Sequence, residues 1–407
     1  SRPMRIAYLT AGGIAPCLSA SIGGLIEHYN KIAPEADLMG YLNGYQGLLT
    51  GKSYHFPKEV RERAAIFYNF GGSPIGNSRV KLTNVKDCMK RGLVKPGEDP
   101  LKIAADRLVA DKVDILHTIG GDDTNTTAAD LVAYLQKHNY DLTVVGMPKT
   151  IDNDIYPIKQ TLGASTAADQ SARFFRNLAN ENTTSARQLI IHEAMGRHCG
   201  WLTARAAYEY HQSLHRYDWL PEALLHQLRW DVDAVWVPEM DIDLEAEIER
   251  LNKMMDEHDS VNIFLSEGAG LDVIIEDMKI QGMEPEKDAF GHYPLDDVNV
   301  GKWFGAQLKD KLGAEKLLIQ KSGYFARSAA PNEDDLKLIK ASAVQAAESA
   351  LRGESGVAGL DEEADGQMST IAFPRIRGGK PFDIDESWFT TLLEEIGQPK
   401  GKHIAAY

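Results

Sequence analysis

The sequence predicts an α/β protein built from two doubly wound lobes with mostly parallel sheets. Three observations carry this. Short apolar runs of strand length alternate with stretches of helical periodicity, the pattern of β–α units that build a parallel sheet. The runs are mainly apolar on both faces rather than alternating, as strands covered on both faces are. The chain has 407 residues, more than one small core accommodates, so about two lobes are expected.

In chain order, strands are expected at RIAYLT (5–10), VDILHTI (113–119), LTVVGMP (142–148), RQLIIHEA (187–194), DAVWVPE (233–239) and SVNIFLSE (260–267). Helices fall between and after them. Ala128, Leu131, Val132 and Leu135 follow i, i+3, i+4, i+7. Ala164, Ala167, Ala168, Phe174, Phe175 and Leu178 line one stripe of a longer helix. Leu244, Ile248, Leu251 and Met255 line another, and Leu336, Ile339, Ala343, Ala346 and Ala350 a fourth. Residues 268–300 lose periodicity and gather Gly, Pro and Asp, so an insertion is expected there. GVAGLDEEADGQM (356–368) reads as a polar loop and STIAFPRI after it as a late strand. No internal repeat or long low-complexity segment stands out.

Composition narrows the function. Hydrophobic residues make up 43% and charged residues 25%, a normal globular balance. A formal net charge of −15 argues against nucleic acid as the main partner. Anions would have to be held by local clusters of Arg, Lys and backbone N–H groups. Cys17, Cys88 and Cys199 show no metal-ligand spacing and read as packing residues of a reducing compartment. No apolar run reaches membrane-spanning length and no signal-peptide pattern is present, so a cytoplasmic protein with no membrane partner is expected.

Ligands of such folds sit at the carboxyl ends of the strands. There the sequence places TAGGIAP, GGDDTN, PKTIDND, MGRHCGW, PEMD and SEGAG. GLLTGKS (47–53) imitates a phosphate-binding P-loop, but position 46 is Gln where the first glycine belongs and no helix pattern follows, so a polar turn is the better reading. No complete G-x-G-x-x-G follows a strand, which disfavours a nicotinamide enzyme. His198 and His292 lack a partner at ligand spacing and read as structural. In PKTIDNDI the two aspartates stand at i and i+2, where an extended segment would project both side chains to one side. An Asx-rich turn capping a helix is the plainer alternative. Lys149, three residues before Asp152, tips the reading toward phosphoryl transfer: a carboxylate to take a hydroxyl proton, another toward metal, a cation for phosphate. GGDDTN then poses a puzzle, because a glycine pair suits a phosphate while Asp122 and Asp123 repel one.

TAGGIAP, GGSPIGNSR (71–79), GGDDTN, PKTIDND, MGR (195–197), PEM (238–240) and SGYFAR (322–327) occur in the order of the phosphofructokinase family, which the chain resembles from about residue 5 to about 350. The resemblance implies two α/β lobes with the active site in the cleft between them. It divides the chain into a donor-binding lobe at 1–163, joined by part of 321–407, and a fructose 6-phosphate lobe at 164–320. ATP-using members carry Gly-Gly-Asp-Gly and Pro-Gly-Thr-Ile-Asp-Asn-Asp. Here Asp123 and Lys149 replace the two glycines, the pattern of the pyrophosphate-dependent branch. A carboxylate at 123 fills the space of a nucleotide α-phosphate with like charge, and at ~4 Å two unit charges repel by about 4 kcal/mol at an effective dielectric near 20. Lys149 supplies compensating charge to pyrophosphate.

By the same resemblance Asp122 holds Mg²⁺, Asp123 excludes nucleotide, Asp152 is the general base for the sugar 1-hydroxyl, and Asp154 supports it or the metal. Gly13 and Arg79 touch pyrophosphate. Thr150, Met195, Gly196, Arg197, Glu239, Tyr324 and Arg327 bind fructose 6-phosphate: Arg197 and Arg327 as bidentate phosphate ligands, Glu239 as acceptor for sugar hydroxyls. The chain departs from the bacterial ATP-using pattern at Leu318 and Lys321, where His and Arg are usual, and Gln188, beside Arg187, stands where a neighbouring subunit's arginine is expected. The resemblance also implies a homo-oligomer, dimer or tetramer. An ATP-dependent kinase and a non-catalytic sugar-phosphate sensor of the same fold are the alternatives.

Overall fold

A computed structural model describes residues 2–283, 287 and 298–406. His292 and much of the expected insertion lie outside the described residues. The strands are β1 (Arg5–Thr10), β2 (Asp37–Tyr41), β3 (Ser53–His55), β4 (Ile115–Gly120), β5 (Thr143–Pro148), β6 (Gln188–Ala194), β7 (Ala234–Trp236), β8 (Ser260–Ser266), β9 (Lys316–Lys321), β10 (Gly356–Asp361) and β11 (Gln367–Ile371). The chain divides into two compact units, residues 1–166 with 327–380 and residues 167–326 with 381–407.

The first unit holds a seven-stranded sheet in the order β11-β10-β5-β4-β1-β2-β3. Its centre is parallel, and only the pairs β2–β3 and β10–β11 at the two edges are antiparallel. Side chains alternate between two buried faces, as the two-residue period of a strand requires. Ala7, Leu9, Met39, Leu116 and Val144 pack with Leu48, Leu108, Leu131 and Leu135 on one side. On the other, Tyr29 from the helix Leu18–Ile32 bonds the buried His117 of β4 at 2.6 Å. Gly24 of that helix lets Ala343 of the helix Glu333–Leu351 approach, since a Cβ at Gly24 would lie 3.0 Å from the Ala343 methyl.

The second unit holds a four-stranded parallel sheet, β7-β8-β6-β9. Leu189, Ile191, Val235, Ile263 and Leu265 share its core with Leu251, Met255, Phe304 and Leu308. The last segment adds the helix Ser387–Ile396, whose Phe389, Leu392 and Leu393 join this core.

All six expected strands are present, and the four expected helices appear at Asp122–Lys137, Ala164–Leu178, Leu244–His258 and Glu333–Leu351. Three expectations are corrected. Within 268–300, where loss of periodicity was expected, the helix Leu271–Ile280 buries Leu271, Ile274 and Ile275. Residues 356–368 are no loop: β10 continues the sheet beside β5, and Gly359 leaves room for the Ile158 side chain, 3.2 Å from where its Cβ would stand. GLLTGKS is more than a polar turn, because Tyr45–Thr50 is helical with Leu48 and Leu49 buried, and Gly51 closes it at φ 72°.

Candidate active site

In the first sheet β5, β4 and β1 are adjacent, with Thr10 beside Ile119 and Gly120 beside Pro148. The loops leaving their carboxyl ends therefore emerge together. These are Gly12–Gly13, Gly121–Asp123 and Lys149–Asp154.

Gly12 has φ 86°, a left-handed conformation that suits glycine. Its N–H donates to the Ser78 carbonyl at 3.0 Å, and Asn77 Nδ2 donates to the Gly12 and Gly13 carbonyls, each at 3.3 Å. Three cations converge on this turn. Lys149 Nζ donates to the Gly13 carbonyl at 2.9 Å. A Cβ at Gly13 would meet the guanidinium groups of Arg327 and Arg79, the latter at 2.7 Å, and one at Gly12 would stand 2.7 Å from Lys149 Nζ. Arg327 Nε donates to the Ile14 carbonyl at 3.0 Å. Lys149 is 8% exposed. Burial lowers its pKa to about 8, and the charges of Arg327 and Arg79 act in the same direction. Within an acidic chain this is a local patch of three positive charges on a glycine turn, which suits a polyanion.

GGDDTN is the start of a helix. Gly121 is the N-cap of Asp122–Lys137, so both aspartates lie in the first turn, where the helix dipole favours negative charge. Asp123 points to Lys81, with Oδ2 2.9 Å from Nζ. Its cation is thus Lys81, while Lys149 sits on the glycine turn. Asp122 lies against the backbone of Gly378, where a Cβ would collide with the carboxylate.

PKTIDND is folded into a turn rather than extended. Asn153 has φ 56°, and its Oδ1 accepts from the Thr161 N–H at 2.9 Å. The expectation that an extended strand projects Asp152 and Asp154 to one side is therefore corrected. Thr150 organises the turn: its Oγ1 accepts from the Asp152 N–H at 3.1 Å and donates to Asp154 Oδ1 at 3.2 Å. Burial holds the Asp154 carboxyl above the usual range, and the charge of Asp122 pushes the same way. Two interacting carboxylates, both half-buried, form a donor set that a divalent cation would stabilise. Lys380, from the same segment as Gly378, donates its backbone N–H to the Asp154 carbonyl at 3.0 Å.

The second unit carries the other expected residues. Met195, Gly196 and Arg197 follow β6, with Gly196 at φ 98° and Met195 and Arg197 half-buried. Gly268, after β8, lies against the Arg197 carbonyl and has no room for a side chain. Glu239 is 3% exposed and accepts from the Gly200 N–H at 3.0 Å and the Phe382 N–H at 2.8 Å. Burial raises its pKa against the pull of these donors. Glu239 thus fixes the backbone beside MGR. Tyr324 is 75% exposed, so core packing does not explain it. Arg187 is committed to Asp256 at 2.7 Å and to the Gly313 and Leu312 carbonyls. Cys17, Cys88 and Cys199 are buried free thiols, as expected.

Lys81 and the 376–380 segment escaped the sequence reading. Lys81 stands two residues beyond a quoted motif, and the Gly-Gly-Lys of 378–380 was the available signal for the other.

The family model for phosphofructokinase matches residues 5–350. The chain belongs to the phosphofructokinase family. It is 60% identical to a pyrophosphate–fructose 6-phosphate 1-phosphotransferase of Methylomonas methanica, over 98% of both chains. It is 58% identical to the protein of that name from Propionibacterium freudenreichii subsp. shermanii, over 97% of this chain and 98% of the relative. Among solved structures, the pyrophosphate-dependent phosphofructokinase of Marinobacter aquaeolei aligns with a TM-score of 0.69 at 18% identity, covering 98% of this chain and 92% of its own. At that identity the likeness concerns the fold of this family member. No helix among the described residues is long and apolar enough to cross a membrane.

Proposed function

We propose that the chain transfers a phosphoryl group reversibly from pyrophosphate to the 1-hydroxyl of fructose 6-phosphate, giving fructose 1,6-bisphosphate and phosphate. The carrying observation is the convergence of Arg79, Lys149 and Arg327 on the Gly12–Gly13 turn. Three cations at a turn whose carbonyls and N–H groups are already fixed offer a compact site for a small, highly charged anion. Arg327 is assigned here to the donor, although the family resemblance gave it to the sugar phosphate.

Asp152 takes the proton of the 1-hydroxyl as its oxygen attacks the near phosphorus, and the bridging P–O bond of pyrophosphate breaks to release phosphate. Thr150 holds the turn that presents Asp152 and steadies Asp154. Asp122 and Asp154 are the residues suited to Mg²⁺, which when bound would neutralise charge on the transferring group. Lys149, Arg79 and Arg327 neutralise the departing phosphate. Met195, Gly196, Arg197 and Tyr324 are assigned to the sugar phosphate, with Glu239 holding the Gly200 backbone just beyond MGR. Asp123, held by Lys81, fills the space a nucleotide would need. The family also suggests a homo-oligomer, which light scattering tests.

The deciding experiment is initial rate with pyrophosphate and with ATP, each with and without magnesium. Turnover with pyrophosphate and magnesium, and little with ATP, is expected. Equal efficiency with the two donors overturns the donor assignment, and no turnover with either leaves only the sensor reading.

A further inference from the structure

Outside the residues assigned to phosphoryl transfer, one cluster of ligand-type side chains remains among the described residues. His211 and His215 lie four residues apart at the end of the helix Trp201–Leu214, and His215 keeps right-handed backbone angles of φ −70° and ψ −12°. That spacing brings both rings to one helix face. Glu395, from the helix Ser387–Ile396, reaches the same face. His211 Nε2 and Glu395 Oε2 stand 2.5 Å apart, and the two rings meet edge to face with centroids 5.2 Å apart. One ligand atom from each of the three residues lies within 4.8 Å of the other two.

A second observation concerns the far side of the His211 ring. Nδ1 lies 2.7 Å from Asp231 Oδ1, and that oxygen also accepts from the Val232 N–H at 2.7 Å. His211 is 3% exposed and Asp231 is 6% exposed, so the pair is locked in the core. A carboxylate on one imidazole nitrogen fixes the ring and aims the other outward, the arrangement that supports metal-binding histidines. Here the aimed nitrogen faces His215 and Glu395, both open to solvent.

We propose that His211, His215 and Glu395 form a binding site for a divalent transition ion of the zinc class, with water completing the coordination. Two imidazole nitrogens and one carboxylate favour zinc, nickel or cobalt over magnesium or calcium, which prefer all-oxygen sets. The magnesium required by the proposed reaction therefore does not compete for it. The bound ion ties the helix Ser387–Ile396 to the helix Trp201–Leu214 and stabilises their packing.

The test is a calorimetric titration of the full chain, stripped with chelator and kept in magnesium, with zinc chloride alone. One saturable equivalent per chain is expected, together with a rise in Tm. His215→Ala and Glu395→Gln, both at exposed positions, should each weaken binding at least ~10-fold, and Asp231→Asn by about 10–100-fold, as supporting carboxylates do. His138→Ala, at an exposed histidine of the first unit, should change nothing. Cobalt provides a readout independent of the variants, since bound tetrahedral cobalt absorbs visible light far more strongly than the aquated ion. No saturable binding by the unaltered chain, no gain in cobalt absorption, or unchanged affinity in either His215→Ala or Glu395→Gln overturns the proposal.

Discussion

Lys149 donates to the Gly13 carbonyl and titrates at about 8, so its charge is present below that pH and lost above it. The free enzyme's kcat/KM for pyrophosphate should fall above pH ~8 by up to tenfold per unit. In Lys149→Arg the guanidinium stays charged and this limb should vanish. Titration of pyrophosphate itself is common to both proteins and cancels; identical profiles would rule Lys149 out as the titrating group. Asp152→Ser should lower kcat by roughly 10²–10⁴ with little change in substrate binding, the usual effect of losing a general base; a kcat within a few-fold would remove it from that role. Asp123 raises a finer question, because Lys81 at 2.9 Å partly neutralises the charge proposed to repel nucleotide. The full Coulomb bound of about 4 kcal/mol at ~4 Å therefore overstates the electrostatic share of donor choice, and the volume of the side chain carries more of it. Asp123→Gly removes both and should raise the ratio of kcat/KM for ATP to that for pyrophosphate by at least ~10-fold. Asp123→Asn keeps the volume and should move it less. A gain in the Asn variant equal to that in the Gly variant would return the filter to charge.

The strand elements were legible because a strand buried on both faces carries a mainly apolar run, and β1, β4, β5, β6 and β8 each do. β2 escaped notice because Gly40 interrupts it, where a Cβ would stand 3.1 Å from Ile75. β10 hides its burial behind small residues, and β9 is an edge strand with both ends exposed. Site motifs next to strand ends were legible for a similar reason, since topology fixes what emerges there. Partners remote in sequence were not. Nothing in the local pattern tells that residues 376–380 pass beside Asp122 and Asp154, some 220 or more positions earlier. That segment gives a prediction at its own scale. Gly378→Ala puts a methyl into the Asp122 carboxylate and should raise the magnesium concentration needed for half-maximal rate about tenfold, as misplacing the surroundings of a metal ligand does. Gly379 has φ 79° and nothing within 4 Å of its missing Cβ. Gly379→Ala should cost about 1–2 kcal/mol of stability through backbone strain and leave the magnesium dependence alone. A magnesium titration of both variants decides; equal curves would mean that the 376–380 segment does not position Asp122.

At the scale of the molecule, the proposed roles fall in two units, each with its own core. The proposed donor cations Arg79, Lys149 and Arg327 and the carboxylates Asp122, Asp152 and Asp154 belong to the first, and Met195, Gly196, Arg197, Glu239 and Tyr324, proposed for the sugar phosphate, to the second. Arg327 stands at the junction in sequence, the first residue after the chain returns from the second unit. Its neighbour Tyr324, three positions earlier in the same short helix, is counted with the other unit. Each ligand stabilises what it binds by RT ln(1 + [L]/Kd), about 2.7 kcal/mol at a hundredfold excess over Kd, and the gain is greatest where opening exposes its contacts. Hydrogen exchange can therefore read the division directly. Magnesium pyrophosphate should slow exchange around Gly12–Gly13, Ser78–Lys81, Asp122 and Lys149–Asp154. Fructose 6-phosphate should slow it around Met195–Gly200. Amides from Arg327 onward should respond to pyrophosphate, because the guanidinium packs on Gly13 and donates to the Ile14 carbonyl. If those amides respond to fructose 6-phosphate alone, Arg327 serves the sugar phosphate, as the family pattern implied, and the donor site rests on Arg79 and Lys149.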